Sequence, residues 1–277
     1  MLVVVAVGGT FALVFRPNGS QAREANAVRA DVTATTTLPA PTTTTTVPPT
    51  TTTTLVGNPY ANPIPEFFSS GPTDRPRVAI TIDDVFGPGQ AQQLAQVLDI
   101  AKARNVHLTF FPTGGAVESH IGAGLQEVWH RAVLEGHEIG NHTYTHTQVT
   151  KLTDDQVRDE ITGTQELMTA ALGPAFDYRE RLFRPPGGAG GAGGGDPRIM
   201  AVLRGLGYSM AMWSIDSNYT SGFQSMVDKA VSQARNGSII LLHFATFSPE
   251  NVASLIDRLR DERNLEPVTV SQLFAAS

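Results

Sequence analysis

The sequence predicts an α/β domain built on a parallel β-sheet, and three features of the chain after residue 56 support this. Short β-rich runs alternate with amphipathic stretches of helical period. Two helical stretches begin with a capping residue followed by proline, and polar side chains directly follow several apolar runs. Alternating strands and helices indicate crossovers between parallel strands, in a sheet that is either open or closed. In both arrangements ligands bind beyond the carboxyl ends of the strands.

The predicted elements alternate along the chain. Strands are predicted over residues 77–82, 106–111, 138–140, 208–213 and 238–242. Helices are predicted over 90–104 and 124–135, from a capping box of Thr153 and Gln156 to Gly173, and from Asp196-Pro197 and Ser248-Pro249. The helices therefore fall between strands or after the last one, as crossover connections require.

The N-terminal part of the chain differs in composition from the rest. We predict an apolar segment over residues 1–15, a disordered Thr/Pro-rich linker over 16–55 and one globular domain over 56–277. The apolar segment is shorter than the roughly 20 residues of a spanning helix and lacks the basic residues of a signal peptide. We interpret it as the remnant of a signal peptide or anchor, with a buried core helix as the alternative. The linker is either a glycosylated stalk or a plain spacer.

Composition excludes some partners and some metal ligands. The 277 residues are 41% hydrophobic and carry a net charge of -6, so no basic field would attract nucleic acid. The chain has no cysteine, which rules out disulfides and thiolate metal sites. Any transition metal must therefore be held by histidine and carboxylate groups.

Five polar residues follow directly after predicted strands: Asp83, Asp84, His142, His146 and His243. Adjacent carboxylates after an apolar strand are costly to bury unless a cation or hydrogen bonds compensate, although Asp-Asp alone is typical of a solvated turn. The two histidines four residues apart would share one face of a helical turn, although such a pair alone is typical of a surface. Together, two nitrogen ligands and one carboxylate leave an open position for water, as in hydrolytic metal sites.

The candidate residues and a later loop fall in three segments, TIDD at 81–84, GHEIGNHTYTH at 136–146 and FRPPGG at 183–188. These segments are similar to the motifs of the polysaccharide deacetylases, the NodB homology domain of carbohydrate esterase family four, and the resemblance extends over about residues 77–274. It implies a distorted (β/α) barrel of about seven parallel strands. It also implies a hydrolase that removes N-acetyl groups from N-acetylglucosamine-type residues of a polysaccharide, either peptidoglycan or a chitin-like polymer.

The resemblance also assigns roles to residues of the metal centre. Asp83 would be the catalytic base, and Asp84, His142 and His146 would bind one divalent metal ion. Arg184 would pair with Asp83 and fix its rotamer. Zinc is the first choice for this ligand set, with cobalt and nickel as alternatives.

Further roles follow for the rest of the site. The backbone N–H of Gly187 would help to stabilise the oxyanion, His243 would protonate the departing amine, and Leu241 would line the pocket for the acetyl methyl. Trp213 would contact substrate. The family's usual Asp-Trp pair is missing from its fourth motif, so Asp216, or Asn218 with a shift of alignment, would orient the acid, and Tyr219 would flank the substrate.

Two other functions remain open. One is a carbohydrate-binding pseudoenzyme that keeps the metal but has lost turnover, and the other is an esterase that removes O-acetyl groups from a glycan with the same residues. The expected partner is a polysaccharide, the expected state is a monomer, and membrane contact is expected only through residues 1–15. We predict an extracytoplasmic location, either secreted or anchored at the cell wall.

Overall fold

The computed structural model describes residues 64–84, 87–218 and 225–275. The predicted apolar segment, the predicted linker and Tyr219 lie outside these residues, so the predicted domain boundaries stay predictions. All described residues belong to one compact unit.

The strands of this unit are β1 (Phe67–Phe68), β2 (Arg77–Asp83), β3 (Thr109–Phe111), β4 (Glu138–Ile139), β5 (Leu182–Phe183), β6 (Ser209–Ala211), β7 (Ile215–Asp216), β8 (Ile239–His243) and β9 (Glu266–Val268). Its α-helices are α1 (Pro88–Ala103), α2 (Gly114–Gly122), α3 (Glu127–Leu134), α4 (Asp154–Leu172), α5 (Pro197–Leu206), α6 (Met226–Gln233), α7 (Pro249–Arg263) and α8 (Val270–Leu273).

The strands are parallel and form an incomplete barrel, which confirms the predicted fold class. One sheet has the order β4-β3-β2-β8-β7 and the other has the order β1-β6-β5. A single parallel bridge between Asn141 and Phe183 joins the two sheets beyond the end of β4. Seven strands thus follow one another as β7-β8-β2-β3-β4-β5-β6, with β9 paired to the first half of β2.

The core explains why β2 lies at the centre of the sheet. Its residues from Val78 to Asp83 are all buried, as expected for a parallel strand covered on both faces. The apolar faces of α1, α3, α6 and α7 pack around it in the largest core cluster. A second cluster joins α4 and α5 to β5 and β6.

Helix ends follow the capping signals in the sequence. The capping box of Thr153 and Gln156 is formed, and α4 ends before Gly173. Asp196 caps α5 by accepting from the N–H groups of Arg198 and Ile199. These predictions are confirmed.

One predicted helix boundary was wrong, and one helix was not predicted. The helix predicted over 124–135 begins only at Glu127, because Gly124 has a left-handed backbone with φ of +69°. An additional helix, α2, precedes it and begins with two glycines, which have low helix propensity. Its N-cap Thr113 accepts a hydrogen bond from the Ala116 N–H at 3.2 Å. Among the described residues, no helix is both long enough and apolar enough to cross a membrane.

Candidate active site and metal centre

The two aspartates lie where β2 ends. Asp83 is the last residue of the strand, and Asp84 follows it with a left-handed backbone, φ +62°. The parallel register sets Asp83 beside His243, which ends β8. The strand ends thus bring the sequence-predicted carboxylates and the predicted acid to one edge of the barrel.

A group of three candidate metal ligands surrounds Asp84. Its Oδ1 lies 3.2 Å from Nε2 of His142 and 3.1 Å from Nε2 of His146. One ligand atom of each residue lies within 4.8 Å of the others. His142 is buried, whereas the side chain of His146 is 37% exposed. The group is therefore reachable from solvent on the His146 side.

The hydrogen bonds at this group fit a shared cation. Nδ1 of His142 lies 2.7 Å from the carbonyl oxygen of Arg184, so Nδ1 carries a proton and, whenever the ring is neutral, the Nε2 lone pair points at Asp84. Asp84 Oδ1 is buried and has no hydrogen-bond partner among the described residues. Two acceptors that face each other at 3.2 Å are stabilised by a cation that both can bind, and His/His/Asp is a donor set that zinc accepts.

Electrostatics in the metal-free protein are dominated by the same contacts. Burial acts to raise the pKa of Asp84, but His142 and His146 outweigh it and lower that pKa well below its usual range. Burial acts to lower the pKa of His142, but Asp83 and Asp84 outweigh it and raise that pKa. A metal ion and a proton would therefore compete for His142.

The two histidines do not lie on a helical turn, so that part of the prediction was wrong. Residues 141–146 form an irregular loop in which Thr143 and His146 have left-handed φ values of +65° and +63°. Each such residue costs about 1–3 kcal/mol and persists only where its surroundings hold it. The left-handed turns, rather than helical spacing, direct both imidazoles at Asp84.

Arg184 is fully buried and holds the other aspartate. Its Nη1 donates to Asp83 Oδ1 at 2.8 Å and to Thr81 Oγ1 at 2.7 Å. Its Nε and Nη2 donate to the carbonyl oxygens of Ala211 and Met212. Asp83 is thus bound to a guanidinium while Asp84 faces the histidines, which gives two adjacent carboxylates different surroundings.

The acid side of the site departs from the expected arrangement. Nε2 of His243 lies 3.8 Å from Asp84 Oδ2, and its buried Nδ1 has no hydrogen-bond partner among the described residues. Within the described part of the chain, Asp216 makes no hydrogen bond to this ring. It accepts from the backbone and side-chain nitrogens of Asn218, whose Oδ1 accepts from Thr246. Asp216 and Asn218 therefore order the loop beside His243 without bonding to its imidazole.

The remaining predicted residues within the described part of the chain are Gly187, Trp213 and Leu241. Gly187 has a φ of +61°, a conformation that favours glycine, in the turn after two prolines. Trp213 is half-buried, and its ring centroid lies 5.7 Å from the Arg184 guanidinium carbon. Leu241 is buried on β8 two residues before His243, so both side chains lie on one face of the strand.

Several contributing residues were missed by sequence reasoning. Thr81 precedes the aspartates in the first motif, and its hydroxyl both accepts from Arg184 and donates to the Ile240 carbonyl oxygen. Asn141 and Thr143 belong to the second motif, which was an available signal. Glu160 lies on α4, and no pattern in the sequence connects it to the site.

Three other histidines make contacts away from the metal group. His120 is buried and stacks on Trp129, and its Nε2 bonds to the Gly87 carbonyl oxygen. His130 stacks on Phe176. The Leu108 N–H donates to Nδ1 of His137.

The described fold and site define a parallel α/β barrel with a candidate metal group at the carboxyl ends of its strands. The family model described as Polysaccharide deacetylase matches residues 70–211, which is more than half of the chain. The protein therefore belongs to the polysaccharide deacetylase family, as its motifs indicated.

Relatives and a solved structure agree with this assignment. The chain is 30% identical over 198 residues to the peptidoglycan-N-acetylmuramic acid deacetylase PdaC of Bacillus subtilis, with 71% of this chain but only 38% of PdaC covered. It is 31% identical over 218 residues to a chitooligosaccharide deacetylase of Rhizobium leguminosarum bv. trifolii, with 78% and 90% covered. The crystal structure of the Bc1960 peptidoglycan N-acetylglucosamine deacetylase matches with a TM-score of 0.64 and 25% identity, over 76% of this chain and 94% of that one.

Proposed function

We propose that the protein is a metal-dependent hydrolase that removes N-acetyl groups from N-acetylglucosamine-type residues of a polysaccharide, either peptidoglycan or a chitin-like polymer. One observation carries the proposal. Asp83 is held by Arg184 at 2.8 Å, whereas the adjacent Asp84 faces two imidazole nitrogens at 3.1 and 3.2 Å. This separation supplies a proton acceptor and a metal ligand side by side, which metal-dependent amide hydrolysis uses.

A bound divalent cation, for which zinc is the first candidate, supplies a Lewis acid for the acetyl carbonyl and lowers the pKa of water. Asp84, His142 and His146 would hold it. Asp83 accepts the proton of the attacking water through Oδ2, because Arg184 donates to Oδ1 whereas Oδ2 lies 3.9 Å from Nε2 of the proposed metal ligand His142. The water oxygen forms a bond to the carbonyl carbon.

The second half of the reaction breaks the C–N bond. His243 donates a proton to the departing amine, so that the products are acetate and a free amino sugar. The Gly187 N–H stabilises charge on the carbonyl oxygen. Leu241 receives the acetyl methyl, and Trp213 and Tyr219 contact the sugar.

The location of the protein follows from its substrate. A polymer of the cell wall is reached from outside the cytoplasm, so we place the protein there, either secreted or anchored through residues 1–15. The named relatives act on peptidoglycan or chitooligosaccharides. We propose a monomer, since the site is built from one chain.

The test is acetate release from N-acetylglucosamine oligomers and from peptidoglycan by the full chain loaded with Zn²⁺. We expect Asp83→Asn to keep the fold and the metal but to lose activity, by about 10²- to 10⁴-fold for a general base. His142→Ala should lose the metal as well. Asp159→Asn, an exposed carboxylate on α4, is the control and should remain active. Release that persists without metal or without Asp83 would contradict the proposal.

The surroundings of His243 support a second candidate function. Because its Nδ1 has no partner among the described residues and the Asp-Trp pair is missing, the chain could retain metal binding without turnover, as a carbohydrate-binding pseudoenzyme. Stoichiometric zinc without acetate release from any glycan would select this function. Release from O-acetylated glycan alone would instead select the esterase.

A further inference from the structure

We propose that Glu160 is a positioning residue for the metal centre, because its carboxylate holds the loop that directs His142 and His146 at Asp84. Glu160 is half-buried in α4, sixteen residues after Tyr144. This inference rests on the metal centre of the proposed function. It assigns no contact between Glu160 and the metal.

The carboxylate accepts three hydrogen bonds from the loop. Its Oε2 accepts from the N–H groups of Tyr144 at 2.8 Å and Thr145 at 2.7 Å. Its Oε1 accepts from the Thr145 hydroxyl at 2.7 Å. All three donors lie between the two histidines in sequence, so the carboxylate acts on the segment that joins the two ligands.

The carbonyl oxygens of Thr143 and Tyr144 accept from the backbone of α2, whereas the N–H groups from Thr143 to His146 donate to side chains. The N–H of Thr143 donates to Asn141 Oδ1, and the N–H of His146 donates to the Thr143 hydroxyl oxygen. With the two N–H groups bound by Glu160, four consecutive amides are satisfied by side chains. Glu160 is the acceptor that connects these amides to another element of the fold.

Helix α4 provides a fixed platform for this acceptor. Val157 and Ile161 on either side of Glu160 are buried, and α4 packs against α2 and α5. The Ile161 carbonyl oxygen accepts from Asn141 Nδ2 at 3.0 Å. One turn of α4 thus binds the loop at two places: at Asn141, which precedes His142, and at the segment that precedes His146. Without Glu160, the left-handed backbones of Thr143 and His146 would lose this support.

The experiment is a Zn²⁺ titration of the full chain in competition with a chromophoric chelator. Residues that orient metal ligands without touching the metal typically contribute 10- to 100-fold in metal affinity, and we expect a loss of about this size in Glu160→Ala. Glu160→Gln should bind zinc more tightly than Glu160→Ala. Its carbonyl can accept from both amides, and its NH₂ can donate to the Thr145 hydroxyl. Asp159→Ala, the exposed neighbour, should match the wild type.

The outcomes separate positioning from general stability. If Glu160→Ala lowers the melting temperature of the metal-free protein but binds zinc as tightly as the wild type, the inference is overturned. If Glu160→Ala does not fold, Glu160→Asp replaces it, since a carboxylate one methylene shorter should weaken zinc binding, and unchanged affinity overturns the inference. Wild-type protein that binds no zinc overturns the metal centre as well. Zinc binding without acetate release would contradict only the proposed activity.

Discussion

The carbonyl oxygen of Arg184 lies 2.7 Å from Nδ1 of His142, while the guanidinium of the same residue holds Asp83 at 2.8 Å. One residue therefore fixes the tautomer of a candidate metal ligand through its backbone and the rotamer of the candidate base through its side chain. Because the two contacts use different atoms, side-chain substitution can remove one and leave the other. This difference makes Arg184 a useful position for testing the site.

Arg184→Met should destabilise the protein by about 3–5 kcal/mol, because it leaves the buried Asp83 carboxylate without its ion-pair partner. Urea denaturation of the metal-free protein measures this. Arg198→Met is the control, since the ion pair of Arg198 with Asp154 is partly exposed and should contribute about 0–1 kcal/mol. A loss at Arg184 no larger than at Arg198 would show that Asp83 gains little from the pairing.

Zinc affinity should fall as the pH is lowered, and the fall should begin above pH 6.5, the ordinary pKa of histidine. The carboxylates of Asp83 and Asp84 raise the pKa of His142, so its protonated form persists to higher pH and zinc must displace that proton. Calorimetry in buffers of different ionisation enthalpy measures the protons released. Asp83→Asn should move this dependence to lower pH, and affinity independent of pH between about 6 and 8 would contradict the prediction.

Glu180→Gln should flatten the pH dependence of stability. Glu180 is buried, and burial raises its pKa from 4.5 to about 8 despite hydrogen bonds from Asn141 and Tyr208. The folded state therefore keeps a proton that the unfolded state releases between these two values. Stability should fall as pH rises through this window, with a slope of up to ~1.4 kcal/mol per pH unit.

Urea denaturation at several pH values compares Glu180→Gln with the wild type. The amide mimics the neutral carboxyl, so the variant should be the more stable protein near pH 8. Glu166→Gln, an exposed position on α4, is the matched control. Parallel stability curves for Glu180→Gln and the wild type would mean that Glu180 is ionised in the fold.

Gly140→Ala should destabilise the protein by about 1–3 kcal/mol through overpacking. A Cβ at this position would overlap the ring of Phe111 and lie 3.0 Å from the Leu182 carbonyl oxygen, at the bridge between the two sheets. Gly122→Ala in α2 is the control, because its Cβ would meet nothing within 4 Å. Thermal unfolding compares the two, and equal melting temperatures would indicate that β4 and β5 can separate to admit a methyl group.

The sequence by itself determined the fold class and the residues at the strand ends. Alternating apolar runs and helix caps are local signals, and they predicted the long strands β2 and β8 and the helices α1, α4, α5 and α7. The motif residues carried the candidate ligands, and the structure brings Asp84, His142 and His146 together. Two-residue strands such as β5 and β7 have too few residues to show a period, so only pairing with neighbouring strands creates them.

The tertiary structure alone decided how the site is held. His142 and His146 face Asp84 through left-handed turns that need acceptors distant in sequence, including Glu160 on α4. The pairing of Asp216 with Asn218, rather than with His243, likewise depends on where Asn218 and Thr246 meet. Hydrogen bonds between separate elements have no sequence period, because they depend on distances that exist only after the helices have packed on the sheet.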